Sequence, residues 1–183
     1  MDIPFDVSYH FDDNLHDVPN SPAQMRQAIS FLQSKLDSNR EDLPQQISLL
    51  GLIGGYARML HDFSTAATAL NSALNLCHRL KDERLKIANL IRLAHLYQWQ
   101  KQYDRSEALL DKVLIECKNN PLLELYCNFA YQHLGKCKFD QAKYKQAQHC
   151  FGKALKLRQI KGDRSLIDST QLALNVTQQR IGR

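Results

Sequence analysis

Residues 134 to 147 read "LGKCKFDQAKYKQA". An aliphatic and a small residue, Leu134 and Gly135, precede a break near Phe139 and Asp140, and Tyr144 and Ala147 follow it. No catalytic chemistry needs that combination. Helix packing does, and a packing pattern should recur. Aligned on Tyr144 and Ala147, the chain gives Tyr103 with Ser106 and Phe63 with Ala66, at offsets of 41 and 40 residues. Nine residues before each aromatic stands Gly135, Ala94 or Gly54, preceded by Leu134, Leu93 or Ile53. Seven, ten and eleven residues after it come Phe151, Ala154 and Leu155, then Leu110, Val113 and Leu114, then Leu70, Ala73 and Leu74. A register of this length marks a solenoid of stacked units.

Helix geometry explains the register. Apolar residues three, four and seven apart form a stripe, and two such stripes flank each break, so each unit is a helical hairpin. The small residue admits a neighbouring helix, and the aromatic past the turn wedges the second helix in place. Repeats are expected at about 44 to 80, 83 to 118 and 121 to 160, with turns near residues 61, 101 and 141. Pro44 and Pro121 stand where a first helix begins, and Asp82 and Asp163 stand where an N-cap is needed. "LALNVTQQRIG" supplies a fourth, truncated repeat, a closing helix over 165 to 181 in which Asn175 takes the small-residue position. "SPAQMRQAISFLQSKL" predicts a helix over 21 to 38 outside the register, with Ser21 as N-cap and Met25, Ile29, Leu32 and Leu36 as its stripe. It is expected to cap the other end.

The 183 residues, 44% of them apolar, suffice for one buried domain. Without a basic and apolar leader or an unbroken apolar run, the chain reads as soluble and cytoplasmic, with no membrane partner. Five cysteines lack any C-x-x-C pair and are expected as reduced, buried thiols. His133, Cys137, His149 and Cys150 could be drawn as a metal site, but their spacing fits no zinc pattern, so no metal or cofactor is expected. No catalytic carboxylate pair, phosphate loop or nucleophile motif is present, and the chain is not read as an enzyme.

A formal charge of +5 would allow a nucleic-acid role, but the Lys and Arg residues fall at spacings of solvated helix faces without interleaved aromatics. No nucleic-acid partner is expected. Residues 1 to 20 carry −5 from Asp2, Asp6, Asp12, Asp13 and Asp17, leaving +10 on the remainder. Those aspartates alternate with Ile3, Phe5, Val7, Tyr9, Phe11, Leu15 and Val18. The stretch is too apolar for a plain tail and too short for its own core. Two readings stand: an unstructured terminus, or an extended peptide lying on the solenoid of its own chain or of a neighbouring copy, the latter a route to self-association. Docking would cover the surface a partner uses, and should weaken with salt because surface charge pairs are screened.

The register, best seen in "YQHLGKCKFDQAKYKQAQHCFGKAL" at 131 to 155, resembles the tetratricopeptide repeat family over residues 44 to 181. Of the family's usual aromatics three residues after the small one, Tyr97 is kept, while Ala57, Lys138 and Gln178 replace the others. The 40 to 41 residue period resembles the longer-helix subgroup of kinesin light chains, bacterial response-regulator phosphatases and peptide-pheromone sensors. The resemblance implies an all-α, right-handed superhelix of antiparallel hairpins. It also implies a scaffold or adaptor holding a peptide or helix of another protein in its concave groove. A small chaperone for a secreted or assembled client, or a peptide-responsive regulatory sensor, would use the same fold. Members that bind chaperone C-termini carry Lys and Asn where this chain has Gly51 and Gly55, so that specificity is not expected. Groove-facing positions lie next to the small residue and four to five beyond it. They select Arg58, Met59, His95, Gln98, Trp99, Lys136, Phe139, Asp140 and Arg180, with interhelix packing as the competing role for Trp99 and Phe139.

Overall fold

The structure, a computed structural model, describes residues 2 to 38 and 41 to 182. Met1, Asn39, Arg40 and Arg183, which the expected regions include, lie outside the described residues. Eight α-helices are seen among the described residues: α1 (Pro22–Ser38), α2 (Leu43–Met59), α3 (Phe63–Leu80), α4 (Glu83–Trp99), α5 (Tyr103–Asn119), α6 (Glu124–Asp140), α7 (Tyr144–Lys161) and α8 (Arg164–Ile181). Each packs against the next, and α4 touches both α2 and α6 to form the inner layer. Strands β1 (Tyr9–Phe11) and β2 (Asp17–Pro19) pair antiparallel ahead of α1.

The small residues sit at close helix contacts. A Cβ at Gly54 would come within 2.5 Å of Leu70, and one at Gly135 within 2.5 Å of Phe151, in each case the residue sixteen positions on. Ala94 and Leu110, at the same spacing, share one core cluster. Ala66, Ser106 and Ala147, three past each aromatic, are fully buried. Ser106 adds a hydrogen bond from its Oγ to the Ala94 carbonyl at 2.8 Å, which satisfies a hydroxyl in an alanine position.

The turns repeat as faithfully as the helices. His61, Lys101 and Ala142 all have positive φ near 60°. At each, the next residue's N–H reaches five residues back, from Asp62 to Ala57, Gln102 to Tyr97 and Lys143 to Lys138. This is the Schellman closure, made here without glycine. Between repeats, Lys81 and Gly162 end α3 and α7 in the left-handed conformation. The equivalent register position is Pro121, whose ring forbids positive φ. The α5 to α6 connection therefore takes a 3-10 turn over Pro121–Leu123, capped by Asn120 at 3.1 Å from the Leu122 N–H, and α6 begins at Glu124 rather than at the proline. Asp42, Asp62, Asp82 and Asp163 cap α2, α3, α4 and α8.

Residues 2 to 20 do not run as one extended strand. They cross α1, with Phe5 edge-on to Phe31 at 6.1 Å, and then fold into the β1–β2 hairpin. The reversal uses Asp12, whose Oδ1 accepts from the Asn14 and His16 N–H groups, and Leu15 at φ 63°. Among the described residues, no helix is long and apolar enough to cross a membrane.

Candidate functional site

Three first helices place Arg58, His95 and Lys136 on one concave surface, and the hairpin lowers Asp17 onto them. Arg58 Nη2 donates to Asp17 Oδ2 at 2.6 Å and Lys136 Nζ to Oδ1 at 2.8 Å, with all three side chains buried. Burial by itself would raise the Asp17 carboxyl, but the charges and hydrogen bonds of Lys136 and Arg58 outweigh it and hold the group at about 2. The Arg58 guanidinium also lies 4.5 Å over the Trp99 ring, and Lys136 lies 4.2 Å over Phe11.

His95 Nε2 accepts from Trp99 Nε1 at 3.2 Å, so its 4.0 Å approach to Asp17 is that of a neutral ring. Burial and then the charge of Arg58 hold His95 well below the usual histidine range. His133, whose ring lies tilted against His95 with centroids 4.2 Å apart, is lowered to about 3, first by burial and then by Lys136. The neutral pair limits the positive charge here.

A second anchor lies at the hairpin tip. Leu15, 1% exposed, inserts into the cluster of Phe139, Ala147, Phe151 and Ala173. Phe139 is thus a core residue covered by the segment, in line with its packing role. Asp140 Oδ2 accepts from Gln98 Nε2 at 2.8 Å and pairs with His16 Nε2 at 3.3 Å. Arg180 Nη2 donates to the Asp13 carbonyl at 3.3 Å. Trp99 stands between the rings of His16 and His61, 5.0 and 5.1 Å away. Every groove position selected from the sequence therefore touches the N-terminal segment or lines the space beside it, Met59 doing the latter.

Of the five segment aspartates, Asp17 alone pairs with Lys or Arg among the described residues. Both of its pairs are buried, where counterions screen little, which leaves the part-exposed His16–Asp140 contact as the one on which salt would act among the described residues.

Beneath the hairpin is a cavity of about 280 Å³. Besides Arg58, Met59, His95 and Lys136 it is lined by Arg92, Gln132, His133 and Arg158, which the sequence reading did not select. Arg92 and His133 stand two residues before the small positions Ala94 and Gly135, a groove position the chosen offsets skip. Arg158 comes from a second helix. Its register equivalents are the buried Cys77 and Cys117, and an arginine at a core position was the available signal. It is 2% exposed and held by Asn128 Oδ1 at 3.0 Å and by the Leu166 carbonyl at 3.0 Å.

The cysteines are free and buried, and burial raises Cys117 to about 12 and Cys137 to about 11, which keeps both as thiols. Among the described residues no group of three or more His, Cys, Asp or Glu is placed to hold a metal ion.

The fold and groove define a tetratricopeptide-like helical repeat of antiparallel pairs. Among solved structures it is similar to BtubC (BKLC) from P. vanneervenii, at a TM-score of 0.66 and 18% identity over 85% of this chain and 71% of that one. No protein-family model and no curated protein sequence matches the chain.

Proposed function

We propose that this protein is an interaction scaffold whose concave groove binds an extended, acidic and apolar peptide segment of another protein, in competition with its own residues 2 to 20. The observation that supports this most is Asp17 bridging Arg58 and Lys136 in the groove. The two cations, with Trp99 beside them, make a buried receptor for one carboxylate, while the Phe139 cluster receives one aliphatic side chain three positions or fewer away in the ligand. An aspartate with a leucine two residues before it satisfies both. A partner segment with that pattern would take the place of the hairpin.

The test uses the full chain, its Asp17→Asn variant and a dye-labelled peptide of residues 1 to 20. A neutral amide at this position cannot hold both cations, so the tethered segment is released more often and amide exchange over residues 9 to 19 quickens. Labelled peptide is expected to bind the variant at least about tenfold more tightly than the parent, the ratio for a difference of about 1.4 kcal/mol in holding the tethered competitor. Equal or absent binding to both chains contradicts the reading. A partner is then sought by cross-linking from a photoreactive residue placed at Met59.

A further inference from the structure

The cavity under the hairpin carries charge that the peptide reading does not use. Four cations border it: Arg58, Arg92, Lys136 and Arg158. Among the described residues Asp17 is the only carboxylate at its wall, and it is consumed by Arg58 and Lys136. Arg92 and Arg158 form no ion pair with a carboxylate among the described residues. Arg92 Nη1 is held by Asn89 Oδ1 at 3.2 Å, and Arg158 by neutral oxygens. One donor of a cavity-lining cation, Arg58 Nη1, is buried without a hydrogen-bond partner among the described residues. A buried donor left unmade costs about 1 to 3 kcal/mol, more when charged. Such a set is stable when something of opposite charge completes it.

We propose that this cavity is a binding site for a small, multiply charged anion, a phosphate ester or a polycarboxylate, held by Arg58, Arg92 and Arg158 beneath the hairpin. The cations exceed Asp17 by three positive charges, so a monocarboxylate would leave most of the excess in place. Guanidinium groups suit phosphate and carboxylate oxygens because their donors lie in a planar fork. The volume is at the lower bound of small-molecule sites, and Tyr9, Phe11 and Asp17 roof it, which selects a compact molecule over a chain. Gly51 makes room for the Arg92 guanidinium, whose Nη1 would lie 2.9 Å from a Cβ there, and a Cβ at Gly55 would meet nothing within 4 Å. Burial lowers the affinity of Arg58, Arg92, Lys136 and Arg158 for their protons, and for Lys136 the Arg58 charge adds to it. The site shares Arg58 and the roofing hairpin with the carboxylate receptor above, but Arg92 and Arg158 take no part in that receptor, so loss of anion binding on Arg92→Gln is distinguishable from failure of the peptide reading.

Trp99 is the sole tryptophan, and Arg58 stacks on it, so its emission reports on the site directly. Pyrophosphate and citrate are titrated into the full chain at constant ionic strength set with chloride, and heats of binding are measured in parallel. Saturable binding of one anion per chain with a change in Trp99 emission is expected, tighter for pyrophosphate if the ligand is a phosphate ester and for citrate if it is a polycarboxylate. Arg92→Gln should weaken it at least about tenfold, the loss of one charge-assisted contact. Gly55→Asp, which adds a carboxylate to open space, should abolish it with helicity intact. Lys112→Gln, at an exposed side chain on α5, should leave it unchanged. Absence of saturable binding by both anions, or equal weakening by Lys112→Gln and Arg92→Gln, overturns the proposal.

Discussion

His133 shows how one side chain responds to its position over the cavity. Its folded value of about 3 lies below the ordinary 6.5 because of burial and the nearby Lys136 charge, and His95 is lowered in the same sense. A group lowered on folding contributes stability above its unfolded value, lost as pH falls toward the folded one. His16 has the opposite sign, since its hydrogen bond to Asp140 raises it, and its contribution fades as pH rises through the folded value. His16 is a third exposed, whereas His95 is buried and His133 half-buried between α4 and α6, so the His95–His133 pair dominates. The melting temperature should fall from about pH 6.5 to about pH 4.5, above the range in which Asp17 titrates. His133→Gln should flatten that slope. A parent whose melting temperature holds or rises across the window contradicts the assignment.

At the scale of helices and turns, the register decides where side-chain volume can be added. Gly135 in α6 faces the Phe151 ring so closely that any Cβ forces it aside, whereas a Cβ at Gly152, in the middle of α7, meets nothing within 4 Å. Gly135→Ala should destabilise by about 1 to 3 kcal/mol through overpacking, and Gly135→Leu by more. Gly152→Ala should stabilise by about 0.5 to 1 kcal/mol, because alanine loses less backbone freedom in a helix. Urea unfolding of the two alanine variants checks both signs, and a Gly135→Ala midpoint at or above the parent's would remove Gly135 from a close crossing. Both glycines lie inside helices, yet their opposite behaviour comes from the hairpin: Gly135 points across it and Gly152 away.

The whole molecule is tied along its length by the N-terminal segment. Ile3 joins the cluster of α1, α2 and α3, while Leu15 enters the cluster of α6, α7 and α8. A repeat solenoid is held only by neighbour contacts, so its ends can shift relative to each other through small rotations at each interface. A segment fixed at both ends opposes that. Leu15→Ala removes the far anchor, a loss of about 2 to 5 kcal/mol where the side chain is fully buried, and part of it is relieved by undocking. Solution scattering should then give a larger radius of gyration than the parent, with helicity unchanged. An unaltered profile would mean that the segment does not restrain the stack.

The hairpins, their turns near 61, 101 and 141 and the Asp82 and Asp163 caps were legible in the sequence because each depends on residues within one or two helical turns, or on a register repeated every 40 to 41 residues, whereas the Asp42 and Asp62 caps were not read. Spacing alone carries such information. The first-helix positions Arg58, His95 and Lys136 were reachable for the same reason. Tertiary structure alone decided that residues 2 to 20 fold back as a β-hairpin, and that Asp17, of five aspartates, meets Arg58 41 residues away and Lys136 119 residues away. It alone brought Arg92, His133 and Arg158 around one cavity. The reason is physical: local periodicity fixes which face of a helix a residue occupies, whereas the choice among equal charges is made by which one can lose its water and still be fully paired.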